Sequence, residues 1–97
     1  MNKKLLNEST DNLFKAILTL ENIDECRCFF EDLCTVSELQ SMSQRFEVAK
    51  LLDKDAIYTD ISAKTGASTA TISRVNRSLN YGSDGYNLVL ERLKKDE

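Results

Sequence analysis

Hydrophobic residues recur three and four positions apart along most of the chain, which is the spacing of one face of an α-helix. Three such stripes lie in the first part of the sequence, over residues 13–20, 26–33 and 39–52. The first helix is predicted to begin after Ser9, with residues 1–8 frayed. Proline is absent and glycine occurs only three times, so little interrupts the helices. The pattern therefore predicts an all-α fold, with a last short helix over residues 87–95.

A capping signal marks the start of the third helix. Thr35 and Glu38, in the string TVSE, have the spacing of a capping box, in which each side chain accepts a hydrogen bond from the other residue's backbone N–H. The helix is predicted to end around the string DKDA, residues 53–56. Its apolar positions are Leu39, Met42, Phe46, Ala49 and Leu52.

Residues 58–79, YTDISAKTGASTATISRVNRSL, predict two helices joined by a tight turn. Gly66 can adopt the left-handed conformation of such a turn because it has no Cβ. Thr59 is expected to cap the first helix and Ser68 the second. The spacing is typical of a helix-turn-helix over about residues 58–79, although periodicity alone leaves a plain helical hairpin open. The residues predicted to face the core are Ile61, Ala67, Ile72, Val75 and Leu79.

The charge of this segment differs from that of the remaining chain. Residues 62–82 contain three basic residues and no acidic one, a local charge of +3, whereas the other ten basic and sixteen acidic residues give −6. Such a basic face is suited to a polyanion. Short hydroxyl side chains let a helix approach DNA closely, and arginine binds phosphate or guanine. The candidate contacts to double-stranded DNA are Lys64, Ser68, Thr69, Ala70, Thr71, Ser73, Arg74 and Arg77.

Two further polar features of this region carry expectations. Ser62 stands where a small apolar residue is usual, and its hydroxyl is expected to bond back to a carbonyl of its own helix. The string NYGSDGY predicts a tight turn before the last helix. Tyr81 and Tyr86 are expected to pack that turn against the protein, and the alternative is that Tyr81 touches the DNA backbone.

The overall composition narrows the class of protein. Ninety-seven residues suffice for one domain, residues 1–97. Without a long apolar run or a secretory signal, the expected location is the cytoplasm. Three cysteines and no histidine predict reduced thiols on a helix and no metal site. No enzyme is expected, because histidine, a phosphate-binding glycine loop and an evident carboxylate pair are all lacking.

The strings LCTVSELQSMSQRFEVAKLL and GASTATISRVNRSLNYGSDGY resemble the Trp repressor superfamily, and within it the YerC/YecD branch of TrpR-related proteins of Firmicutes. The likeness extends over about residues 13–95. It implies a six-helix, intertwined homodimer that binds operator DNA and regulates transcription. The alternative is a protein-interaction adaptor that keeps the fold without binding DNA, which the net charge of −3 favours.

Broad apolar faces on the first three helices independently favour a dimer, because a chain of this length would struggle to cover them alone. A plain monomeric core remains open for each of these positions. The candidate dimer contacts are Phe14, Ile17, Phe29, Phe30 and Phe46.

The resemblance also implies a tryptophan site between the third helix and the recognition helix. By motif match, its residues would be Thr35, Arg45, Arg74 and Ser78. The next position after the recognition-helix arginine is glycine in the tryptophan binder, whereas here it is Val75, whose side chain would stand in the place of the indole. We therefore expect no tryptophan corepressor and no other cofactor. Arg45 is then expected to pair with an acid such as Glu47 or Asp60.

Overall fold

A computed structural model describes residues 1–97 and contains six α-helices and no strand, which confirms the predicted all-α class. The chain has two compact units, Met1–Leu39 and Gln40–Glu97. None of the helices combines the length and the apolar character needed to cross a lipid bilayer. The helices are α1 (Glu8–Ile17), α2 (Ile23–Leu33), α3 (Val36–Asp53), α4 (Tyr58–Thr65), α5 (Thr69–Tyr81) and α6 (Gly85–Lys95).

Asparagine side chains start the first two helices. The Oδ1 atom of Asn7 accepts a hydrogen bond from the backbone N–H of Thr10 at 2.8 Å, and Asn22 does the same for Glu25 at 2.9 Å. Because Asn7 satisfies one of the free N–H groups of the first turn, α1 begins at Glu8, earlier than predicted. Lys3–Leu5 form a single 3-10 turn of exposed residues, and the fraying of residues 1–8 stays a prediction.

The first unit buries none of its side chains. Neither α1 nor α2 has a buried residue, although both are amphipathic. Leu18 is 83% exposed, Ile23 69% and Phe14 50%. Phe29 and Phe30 pack edge to face with ring centroids 5.6 Å apart, and both remain half-buried. The apolar faces of this unit are therefore largely uncovered in the single chain.

The predicted capping box at the start of α3 is confirmed. The backbone N–H of Thr35 donates to Oε1 of Glu38 at 2.9 Å, and the backbone N–H of Glu38 donates to Oγ1 of Thr35 at 3.1 Å. Hydrogen bonding by Thr35, chiefly from its backbone, holds the pKa of the Glu38 carboxyl below its ordinary value of 4.5. The helix ends at Asp53, near the predicted position.

The core of the second unit joins α3, α4 and α5. Its fully buried residues are Val48, Ala49, Ile61, Ala67, Ile72 and Val75. Of the predicted apolar positions on α3, Ala49 is buried, whereas Met42 is 36% exposed. Val48, which lies outside the predicted stripe, is buried instead. Apolar residues occur around the whole circumference of α3, so spacing alone could not select the side that faces this core.

An ion pair between Lys94 and Asp53 connects the C-terminal end of α6 to the C-terminal end of α3. The Nζ atom of Lys94 lies 2.6 Å from Oδ2 of Asp53, and this carboxylate raises the pKa of Lys94 above its ordinary value. Unlike the other three ion pairs, which join residues three or four apart on one helix, this one joins two helices. This ion pair therefore helps to hold α6 against α3 within the second unit.

The three cysteines form no disulfide. Cys26 and Cys28 are exposed on α2, and Cys34, which follows it, is half-buried. No group of three or more His, Cys, Asp or Glu side chains is arranged to hold a metal ion.

Candidate nucleic-acid interface

A three-residue turn separates α4 from α5. Gly66 closes α4 in the left-handed conformation, with φ of +74°, and its N–H donates to the carbonyl of Ser62 at 2.8 Å. Ser68 caps α5, accepting a hydrogen bond from the N–H of Thr71 at 3.1 Å. Both features agree with the prediction. The predicted cap at Thr59 was wrong, because α4 begins at Tyr58 and Ile57 occupies the N-cap without a side-chain hydrogen bond.

Side chains satisfy the carbonyl groups around this turn. The Ser62 hydroxyl donates to the carbonyl of Ala67 at 2.9 Å, across the turn. The predicted bond from Ser62 to its own helix was therefore wrong. Thr65 makes such a bond instead, with Oγ1 donating to the carbonyl of Ile61 at 2.7 Å and accepting from the N–H of Ala67 at 3.1 Å.

Gln44 connects α3 to the same turn, a contact that the sequence pattern did not predict. Its Nε2 atom donates to the carbonyl of Thr65 at 3.2 Å, twenty-one residues away along the chain. The carbonyls of Thr65 and Ala67 at the turn thus each have a side-chain donor. A polar residue among the apolar positions of α3 was the only sequence signal, and it did not identify the acceptor.

Helix α5 has a buried face and an exposed face, as predicted. Ile72 and Val75 are no more than 1% exposed, and Leu79 is half-buried. Thr71 is half-buried beside the cap. The other candidate contacts to DNA are all exposed: Lys64, Ser68, Thr69, Ala70, Ser73, Arg74 and Arg77.

The basic residues of this surface are free of carboxylates. The four ion pairs of the chain involve Arg27, Lys50, Lys94 and Lys95. Lys64, Arg74 and Arg77 take part in none of them, and no acidic residue lies between positions 61 and 83. Their charges are therefore not neutralised within the chain and are available to an anion.

Of the four residues matched to the tryptophan site, only Ser78 lines an apolar groove of about 640 Å³, together with Phe46, Gly82, Ser83, Gly85, Tyr86 and Val89. Thr35, Arg45 and Arg74 are exposed and line no part of that groove.

The predicted pairing of Arg45 with Glu47 or Asp60 was wrong: Arg45 makes no ion pair, and Glu47 lies 3.5 Å from Lys50 instead. Val75 packs in the core with Ile61 and Ile72.

The turn after α5 is held by its own side chains. Asp84 adopts the left-handed conformation, with φ of 64°, and Nδ2 of Asn87 donates to the carbonyl of Leu79 at 3.1 Å. A Cβ on Gly82 would lie 2.3 Å from the carbonyl oxygen of Ser78, so this position excludes a side chain. Tyr86 packs against the core as predicted. The predicted packing of Tyr81 was wrong in the single chain, since Tyr81 is 87% exposed.

Six helices, with α4 and α5 joined by a glycine turn and an acid-free face on α5, are the architecture of Trp repressor-like proteins. The family described as Trp repressor protein matches residues 8–94, and the chain belongs to that family. The description of the family is that of a regulator.

Three relatives are particularly similar. The uncharacterized protein YerC of Bacillus subtilis (strain 168) is 52% identical over 94 residues, covering 97% of this chain and 90% of YerC. A TrpR-like protein from Eubacterium eligens ATCC 27750 has a crystal structure with a TM-score of 0.93 and 61% identity, covering 96% of each chain. A crystal structure from Staphylococcus aureus, described as a candidate Trp repressor, has a TM-score of 0.92 and 54% identity, covering 95% of this chain and 92% of that one.

Proposed function

We propose that the protein is a sequence-specific DNA-binding regulator of transcription that acts as a homodimer, with α4 and α5 as a helix-turn-helix and α5 as its recognition helix. The observation that carries the proposal is the exposed face of α5. It presents Arg74 and Arg77 without any carboxylate partner, while Ile72 and Val75 anchor the opposite face in the core.

The N-terminal and C-terminal ends of the exposed face of α5 are expected to contact different groups of the DNA. A recognition helix places its N-terminal residues against base edges in the major groove. Ser68 is engaged in the cap, so Thr69, Ala70 and Ser73 would lie nearest to the bases. Arg74 and Arg77 would bind phosphate or a guanine edge, and Lys64 at the end of α4 would bind phosphate. The hydrogen bonds around Gly66 restrict the turn between α4 and α5 before DNA is bound. Binding would therefore lose little further conformational entropy in this turn.

The uncovered first unit supports the homodimer. No residue of α1 or α2 is buried, and large apolar side chains on both are exposed. A second copy is the partner whose apolar faces match in size and composition, and two-fold symmetry suits operator recognition. The contacts would include Phe14, Ile17, Phe29, Phe30 and Phe46. Residues 1–97 would then form one domain, completed by the partner.

We also propose that DNA binding needs no tryptophan. In a tryptophan-dependent repressor the ligand supplies packing beside the recognition helix, whereas here Val75, which is 1% exposed in the core, would supply it. Isothermal titration of the purified protein with L-tryptophan should show no micromolar binding. Micromolar affinity, or DNA binding that appears only with tryptophan, would contradict this proposal.

A gel-shift experiment tests the main proposal. The parent protein should shift a subset of genomic DNA fragments of its host, and Arg74→Ala should weaken binding about tenfold or more. Arg92→Ala is the matched control, because Arg92 is also exposed and free of ion pairs but lies on α6. Equal binding by parent and Arg74→Ala would overturn the assignment of α5. If the parent shifts no fragment even at low salt, the protein-interaction adaptor becomes the better explanation.

A further inference from the structure

Tyr81 is the last residue of α5, and the structure gives its side chain no partner. It is 87% exposed and makes no hydrogen bond or ring contact. The two other tyrosines behave differently: Tyr58 and Tyr86 are half-buried and pack against the core of the second unit. Exposure of one aromatic ring is unremarkable in itself, so its position on the helix decides what it can do.

The position of Tyr81 continues the exposed face of α5. Ala70, Arg74, Arg77 and Tyr81 follow one another at intervals of four, three and four residues, so they share one face of the helix. Tyr81 follows the buried Ile72 by nine residues, which is about two and a half turns and places the two on opposite sides. The phenol thus lies on the same side as both arginines, as far as possible from the core.

The length of the exposed face of α5 determines which groups of the DNA its C-terminal end can reach. Tyr81 follows Ala70 by eleven positions, a rise of about 16 Å along the helix axis. The major groove is about 12 Å wide, so a helix that enters it by its N-terminus leaves its last turn near the edge of the groove. At that edge the available groups are phosphate oxygens and not base edges.

We propose that the hydroxyl of Tyr81 donates a hydrogen bond to a phosphate oxygen at the edge of the major groove, beyond the contacts of Arg74 and Arg77. The inference rests on the proposed function, and it adds a contact that sets the angle of α5 in the groove. Tyrosine is a common donor to phosphate, and its two side-chain torsions cost little entropy when the ring is held. Because the phenol is neutral, this contact releases no counterion.

The experiment compares the DNA affinity of the parent protein with that of single-residue variants, all measured on one DNA probe. A duplex is first selected by the parent protein from a random-sequence pool, and its affinity is then measured by fluorescence anisotropy over a series of salt concentrations. Tyr81→Phe should weaken binding about fivefold, the factor expected from one lost hydrogen bond, with the salt slope unchanged. Arg77→Ala should instead reduce that slope by about one. A single base change in the probe should reduce the affinity of Tyr81→Phe by the same factor as it reduces the affinity of the parent, because phosphate contacts do not depend on base sequence.

Tyr86→Phe is the matched control, since it removes the same atom from a tyrosine that packs on the core. It should bind the probe as the parent does. Equal affinity of Tyr81→Phe and the parent would overturn the inference and leave the proposed function intact. So would a loss confined to particular base sequences, which would make Tyr81 a base contact. If the parent selects no duplex at all, the proposed function fails, and this inference fails with it.

Discussion

At the scale of single residues, the turn between α4 and α5 shows how few side chains orient α5, the proposed recognition helix. Gly66 supplies a backbone conformation that other residues adopt at a cost, with φ of +74°. Ser62 and Gln44 supply donors to the two carbonyls of the turn, Ala67 and Thr65. A buried carbonyl without a donor would destabilise the fold, so these bonds both stabilise the turn and restrict its geometry.

Gly66→Ala tests the backbone requirement. A Cβ at positive φ is strained, and the free energy of unfolding should fall by about 1–2 kcal/mol. Gly85→Ala is the matched control: Gly85 lies at the start of α6 without a positive φ, and nothing lies within 4 Å of an added Cβ. It should be neutral or stabilising by up to about 1 kcal/mol. Urea unfolding at one protein concentration measures both, and equal stability of the two variants would contradict this account of the turn.

Gln44→Ala tests the link from α3 to the turn. Removing the amide leaves the carbonyl of Thr65 without its side-chain donor, which should cost about 1 kcal/mol of stability and weaken DNA binding. Gln40→Ala, one helical turn earlier and exposed, is the control and should change neither quantity. Chemical denaturation and anisotropy on the same samples would check this. A Gln44→Ala variant with unchanged stability would show that the bond contributes nothing.

At the scale of elements, four of the six helices begin at a side-chain cap. Asparagine, serine and the Thr35–Glu38 box cap α1, α2, α3 and α5, whereas α4 and α6 have no side-chain cap. Helix α4 is only eight residues long, and short helices gain most of their stability from packing. Ile61, fully buried in its middle, provides that packing.

The capping box makes one part of the stability depend on pH. The pKa of Glu38 is lowered in the folded state, so its contribution is complete above the ordinary value of 4.5 and is lost as pH falls through the lowered pKa. Glu38→Gln keeps a carbonyl oxygen for the N–H of Thr35 but cannot titrate. Thermal unfolding from neutral pH to pH 3 should therefore show a shallower acid loss for Glu38→Gln than for the parent. Glu31→Gln, at an exposed position of α2, should follow the parent curve; if it is as shallow as Glu38→Gln, the effect does not come from the cap.

At the scale of the whole molecule, the charges and the apolar surfaces are distributed unevenly along the chain. The basic residues without acidic neighbours lie in residues 62–82, whereas the acidic excess lies outside that segment. The first unit, Met1–Leu39, exposes apolar side chains and has no buried residue, and α6 in the second unit also exposes Leu88, Val89 and Leu93. The segment proposed to bind DNA thus differs from the unit proposed to contact a second copy of the chain.

Phe14→Glu tests the partner surface. A carboxylate at a half-exposed apolar position of α1 should oppose burial against a second copy and shift the protein from dimer to monomer at micromolar concentration. Asn12→Glu introduces the same charge two residues away at an exposed position and should leave the dimer intact. Sedimentation equilibrium measures the mass of both. A monomeric parent protein would contradict the homodimer, and a dimeric Phe14→Glu would exclude that residue from the interface.

Local rules explain what could be predicted from the amino-acid order. Periodicity identified the six helices, capping chemistry identified the starts of α3 and α5, and the freedom of a residue without Cβ identified Gly66. The two faces of α5 were also predictable, because Ile72 and Val75 alternate regularly with hydroxyls and arginines. Each of these features depends on residues within about one or two helical turns of one another.

The features that escaped prediction depend on residues distant in sequence. Only the folded chain brings Gln44 to the carbonyl of Thr65, selects Val48 over Met42 for the core and leaves Arg45 without an acid. Tyr81 is different: its exposure follows from its position on α5 opposite the buried Ile72, so helical spacing could have predicted it. A sequence pattern states which face of a helix is apolar, but the neighbour that covers it, or fails to, is chosen by the packing of the whole chain.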